Sequence, residues 1–347
     1  MKSGRIDGID RAAFNALFLA DWLFKPERIS AVLPHRWEKL HGRMMRTASH
    51  GAPGRVLAVE RRANLTPEVF QQEFFRTGIP VVLEGAAAAW PAIRKWTPEY
   101  LASFCGGEKV EVLDGQHWTT NGAADREAVS TTEGLLEMND LLRNVKKGGA
   151  WYGAFLELLD KYPSLREDLD LSFVDAFGQT NRRIPWHRNL IAKMYVGGPG
   201  TSTSLHCAGV SNMYVQVHGR KRWVLIGPQF TPLLYPSPTR GLNWQSRIDF
   251  RNPAPECPLY DFVDRYETVL EPGDVLWNPP FVWHGVENLT ESIAVSLWWV
   301  NVTRGFSNNF MLSALTTCGR PNPIAMQLGL SGARKPGASN FSVHLNK

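Results

Sequence analysis

Thr201-Ser202-Thr203-Ser204-Leu205-His206-Cys207-Ala208-Gly209-Val210-Ser211-Asn212, running on through Met213-Tyr214-Val215-Gln216-Val217-His218-Gly219-Arg220-Lys221-Arg222-Trp223, and Gly273-Asp274-Val275-Leu276-Trp277-Asn278-Pro279-Pro280-Phe281-Val282-Trp283-His284 are the stretches that decide the fold. Both read as short β-strands separated by Gly and Pro turns. The same texture continues from Asn189 onward, so the chain is expected to be mainly β with flanking helices. A double-stranded β-helix, the jelly-roll barrel, would bring the distant His206 and His284 together. On a strand, residues two apart share a face, so His206 and Ala208 face the barrel interior and Cys207 faces away. By the same alternation Lys221 faces opposite its neighbours Arg220 and Arg222.

These two segments resemble the paired metal-site motifs of the JmjC/cupin-like family of Fe(II)/2-oxoglutarate oxygenases. The likeness covers the spacing, the flanking glycines, the Gly219-Arg220-Lys221-Arg222-Trp223 strand and the Gly273-Asp274-Val275-Leu276 turn. It extends upstream to Gly78-Ile79-Pro80-Val81-Val82-Leu83-Glu84-Gly85 and Trp90-Pro91, about Val59 to Thr303 in all. The resemblance implies a cupin-type barrel using Fe(II), 2-oxoglutarate and O2. It implies His206 and His284 as metal ligands, Lys221 and Thr203 as anchors for the distal carboxylate of 2-oxoglutarate, and Asn212 and Ser296 as further cosubstrate contacts. The family pattern has Asp or Glu where this chain has Ala208, which can ligate nothing. Losing that carboxylate removes a negative charge and opens a coordination position. Halogenation, with chloride in the open position, is the first reading of this site. The alternatives are hydroxylation of a peptide, protein side chain or small molecule at a two-histidine iron, and a non-catalytic binding barrel.

Other residues carry blander readings. Asp274, after Gly273 and before an apolar strand, reads as part of a turn, and His187 and His218 as loop and turn residues. With 347 residues, 44% hydrophobic and 20% charged, the chain can bury one large core. Its four cysteines, Cys105, Cys207, Cys257 and Cys318, share no metal-type spacing and give no disulfide framework, which fits a cytoplasmic location. The apolar run from Ala12 to Phe24 is interrupted by Asn15 and Asp21, too short and polar to span a membrane; Phe14, Leu17, Phe18, Asp21 and Trp22 instead predict an amphipathic helix.

Organisation follows from the punctuation. Residues 1–55 form a basic helical segment, 56–310 the barrel domain and 311–347 a C-terminal extension. Lys25 to Arg62 holds nine basic residues against Glu27, Glu38 and Glu60, a solvated face in the main, with nucleic acid a weaker option. Thr66-Pro67 and Thr97-Pro98 predict capped helix starts, and Leu135–Leu142 and Phe155–Leu159 predict helices. The Pro-rich stretch from Pro228 to Tyr266 reads as a long functional loop. Expected partners are a peptide, carrier-bound or small-molecule substrate, and a homodimer is compatible with the chain.

Overall fold

A computed structural model describes residues 6–24, 33–115, 132–178, 190–239 and 241–328. With strands numbered along the chain, one sheet runs in the order β1 (Val56–Ala58), β13 (Arg265–Leu270), β10 (Lys221–Ile226), β15 (Trp283–Asn288), β8 (Ser202–Ala208), β12 (Asn243–Ser246) and β11 (Pro236–Ser237). The other runs β2 (Arg61–Ala63), β3 (Val81–Glu84), β14 (Val275–Asn278), β9 (Val210–His218), β16 (Ser292–Val300), β7 (Ile191–Gly197), β6 (Trp151–Leu156), β4 (Lys109–Asp114) and β5 (Thr132–Glu137). The middle strands of both sheets pair antiparallel, and the chain passes from β8 to β9 to β10 by changing sheet each time. This is the jelly-roll expected from the sequence.

Strand alternation divides the apolar residues into three layers. Val82, Leu276 and Ala294 from one sheet meet Trp223, Leu225, Leu270 and Val286 from the other inside the barrel. The outer face of the larger sheet, with Met194, Val215, Trp277 and Trp299, is covered by the helices of the chain's first half. Leu205, Cys207 and Trp244 on the outer face of the smaller sheet pack against Phe14, Phe18, Trp22, Leu40 and Met44 of the helices Gly8–Leu23 and Leu33–Ser49. Asp7 caps the first of these helices by accepting from the Asp10 amide at 2.6 Å, and buried Asp10 pairs with Arg43 of the second. Arg55, Arg61 and Arg62 are likewise ion-paired, to Asp264, to Glu84 and Asp274, and to Glu60 and Glu73, so much of the basic excess is spent within the fold. Among the described residues no helix is long and apolar enough to cross a membrane.

Two expected helices begin later than the sequence suggests. Leu135 to Glu137 belong to β5, paired with β4, and the helix starts at Met138. Phe155 and Leu156 end β6, which pairs with β7 through a bulge, leaving only Leu158–Lys161 helical. A short apolar run fits either period, and an unpaired sheet edge decides for the strand. The Pro-rich stretch is also more ordered than a loop. It folds into the helical turns Pro228–Leu233 and Pro258–Phe262 and into β11 and β12, and β12 covers the edge of β8. The tail is described only as far as residue 328, and His187 lies outside the described residues.

Candidate functional site

His206 on β8 and His284 on β15 are direct cross-strand partners with ring centroids 4.2 Å apart. Each ring is fixed in the same way. Nδ1 of His206 donates to the Ser204 carbonyl at 2.8 Å and Nδ1 of His284 to the Val282 carbonyl at 3.0 Å. A ring whose Nδ1 carries the proton keeps its Nε2 lone pair for a ligand. Burial holds the His206 pKa below the usual histidine value; burial and then the neighbouring His206 push that of His284 well below it. Two neutral imidazoles, side by side and oriented by the backbone, can therefore receive a divalent metal. On the other edge of β8, β12 pairs Gln245 with His206 and Asn243 with Ala208, so both neighbours of that strand are occupied.

Position 208 leaves this pair without an acid. Among the described residues, no group of three or more His, Cys, Asp or Glu side chains could hold a metal. Cys207 does not compensate: it is fully buried in the outer layer, and burial pushes its thiol well above the usual range. The Phe281 amide donates to the Ala208 carbonyl at 2.8 Å, tying the end of β8 to the turn before His284. Phe281 has φ 60°, and its ring fills the space that a Cβ at Gly209 would enter at 3.0 Å. A side chain at 209 would therefore push on the turn that carries His284.

Deeper in the barrel, Lys221 is completely buried. Its Nζ donates to the Tyr214 hydroxyl at 2.6 Å and lies 5.2 Å from the Tyr214 ring centre and 5.6 Å from those of Tyr152 and Tyr195. The described residues supply no carboxylate to pair with it, and burial lowers its pKa to about 7. The tyrosine hydroxyls remain protonated, with burial pushing Tyr152 up to about 12 and Tyr195 and Tyr214 well above their usual range.

The remaining sequence candidates gather around this cage. The Thr203 hydroxyl hydrogen-bonds Tyr152. Simple alternation would turn Thr203 away from His206, three residues on. A register shift where β8 meets β15, pairing His206 with His284 but Thr203 with Val286, brings both inward. Ser296 Oγ donates to Asn212 Oδ1 at 2.9 Å and also bonds Tyr195. Asp274 stands apart from the interior: it accepts from the Gly85 and Glu271 amides and from Arg61, as a turn residue does. The sequence reading missed the three tyrosines, although Tyr214 stands two residues from Asn212 on the same face. It also missed Trp223, stacked on His284 at 5.4 Å, and Asn278, whose amide nitrogen lies 3.2 Å from Nδ1 of His284.

Comparison with known proteins agrees with this fold. A family profile described as a cupin-like domain matches residues 67–305. The chain is 32% identical over 241 residues to Jumonji C domain-containing protein 5 of Drosophila melanogaster, covering 67% of this chain and 57% of that protein. It is 30% identical over 239 residues to lysine-specific demethylase 8 of Danio rerio, 67% and 56% of the two chains, and 30% identical over 256 residues to lysine-specific demethylase JMJ30 of Arabidopsis thaliana, 72% and 56%. The chain spans a little over half the length of these relatives.

Proposed function

Because the chain belongs to the cupin-like JmjC family of Fe(II)/2-oxoglutarate-dependent oxygenases, we propose that it hydroxylates a C–H bond of a peptide or protein side chain. The observation that carries this reading is the buried Lys221, with no acidic partner among the described residues, in a cage of tyrosine rings. A buried cation without a counter-charge is costly, and a dicarboxylate supplies what is missing.

The residues present fit the two groups that the family uses. His206 and His284 would hold Fe(II) through their free Nε2 atoms, since both Nδ1 protons are committed to backbone carbonyls. Lys221 would take the distal carboxylate of 2-oxoglutarate, with Thr203 and the tyrosine hydroxyls as further donors. Asn212 and Ser296 line the same interior and would orient the cosubstrate. Bound together, Fe(II), 2-oxoglutarate and O2 would supply the oxidation of the substrate C–H bond. The protein's part is to exclude water, which the apolar barrel layer and the covered edge of β8 provide, and to hold the anion against Lys221. Two of the relatives are named as lysine-specific demethylases, which favours a peptidyl substrate over a small molecule here. Halogenation, the first reading of Ala208, has no support among these relatives, and hydroxylation replaces it.

Anaerobic titration with Fe(II) and 2-oxoglutarate, followed by visible absorption, tests the proposal. A charge-transfer band should appear in the wild type and vanish in His206→Ala and His284→Ala. Absence of the band in the wild type, or its full retention in either variant, overturns the assignment. Repeating the titration with and without chloride separates the two chemistries. Tighter cosubstrate binding in chloride would return halogenation to first place, by the reciprocity of linked binding.

A further inference from the structure

Asn278 is buried at 4% exposure beside His284, and its Oδ1 has no hydrogen-bond partner among the described residues. It pairs with Asn212 across β14 and β9, two residues beyond the inward-facing Leu276, so its side chain enters the barrel from the sheet opposite the histidines. Its Nδ2 lies 3.2 Å from Nδ1 and 3.5 Å from Nε2 of His284. Nδ1 already donates to the Val282 carbonyl and has no lone pair to offer. At its shorter contact the Asn278 amide thus meets an N–H, and Nε2 at 3.5 Å, the atom a metal would take, is the ring acceptor within its reach.

A cation arriving at Nε2 repels an N–H donor and attracts an oxygen. Half a turn about the terminal torsion of Asn278 exchanges Nδ2 for Oδ1 with almost no change of shape. The turn also gives a partner to an oxygen that otherwise has none, removing the cost of a buried unsatisfied acceptor. Amide oxygens are suitable ligands for hard divalent ions. Other candidates near the pair are committed elsewhere: Cys207 faces the outer layer, and Gln245 Oε1 accepts from Ser204.

We propose that Asn278 is a metal ligand, its Oδ1 supplying from β14 the third protein contact that Ala208 on β8 does not. This rests on the reading that His206 and His284 hold a divalent ion. Because the amide is neutral, the completed centre is one negative charge poorer than a two-histidine, one-carboxylate site.

The test uses Co(II) alone, added to the full chain in chloride-free buffer and read by its visible d–d absorption. Wild type should bind and His284→Ala should not. Asn278→Ala should bind at least about tenfold more weakly, the loss that removing a residue merely supporting a ligand already causes, with a changed d–d spectrum. Asn278→Asp keeps the shape and adds the charge, so it should bind more tightly than wild type; it also carries the test if the Ala variant does not fold. Unchanged affinity and spectrum in Asn278→Ala, with wild type binding and His284→Ala not, overturn the role of Asn278 and leave the two-histidine site standing. Weaker binding by Asn278→Asp would assign Asn278 a packing role and overturn it equally. No Co(II) binding by wild type overturns both.

Discussion

The two ends of the barrel interior differ in what each has kept. Around Lys221 a tyrosine hydroxyl and three tyrosine rings converge on one amine. Around His206 and His284 the ring orientations are fixed, yet position 208 holds a methyl group where the family pattern has an acid. Among the described residues neither end contributes a carboxylate, so a divalent metal and the lysine together would leave the interior strongly positive. A dianionic cosubstrate then becomes part of the electrostatic balance of the site as well as a reactant. On the proposed reading, the Lys221 end would supply affinity for that anion, and the histidine end the place where chemistry would occur.

The largest effect should come from removing the cation. Lys221→Met leaves any bound distal carboxylate buried without its partner, at a cost of about 3–5 kcal/mol, so 2-oxoglutarate affinity measured by calorimetry should fall by roughly two to nearly four orders of magnitude. The ligand-free variant should melt above wild type at pH 7, because a buried, unpaired amine has been replaced by an apolar chain. A lower melting temperature combined with unchanged affinity would place the cosubstrate elsewhere.

The same lysine predicts a pH dependence of the next size. Below pH 7 the free protein already carries the ammonium, and binding needs no proton. Above it, Lys221, with a pKa of about 7, is neutral and must take up a proton to meet the carboxylate. Affinity should therefore fall by about tenfold per pH unit between pH 7 and 9, and calorimetry in buffers of different ionisation enthalpy should show uptake approaching one proton. For the ligand-free protein the sign runs the other way. The unfolded chain holds the proton up to the usual lysine value of 10.5 and the folded state releases it near 7, so this group adds stability as pH rises through that window. A pH-independent affinity would mean that the amine stays charged without the ligand.

The contrast between the two ends also separates what the sequence made legible from what it did not. His206, His284 and Lys221 stood in segments whose strand alternation and turn residues were plain, and the fold brings all three into one interior. Tyr152 and Tyr195 come from β6 and β7, tens of residues upstream, and no local pattern ties them to Lys221. The pairing of β12 with β8 was hidden in a stretch whose prolines suggested a loop, because prolines are excluded from central strands but not from edges. Asn278 was a visible anomaly, a polar residue ending an apolar strand, but only the tertiary structure shows that it touches His284.

Thr203 gives the smallest effect and the finest test of how the two ends are joined. Its inward direction depends on the register shift between β8 and β15, which places an odd offset of three residues on one face. Thr203→Val keeps the branched shape and removes one hydroxyl that now bonds Tyr152. If Thr203 also donates to the cosubstrate, losing that bond should cost about 0.5–1.5 kcal/mol, a weakening of 2-oxoglutarate binding by roughly two- to twelvefold, with Co(II) affinity at the histidines unchanged. If Co(II) affinity falls instead while cosubstrate binding holds, the bulge serves to aim His206 and not to present Thr203, and the division between an anion end and a metal end would have to be redrawn at β8.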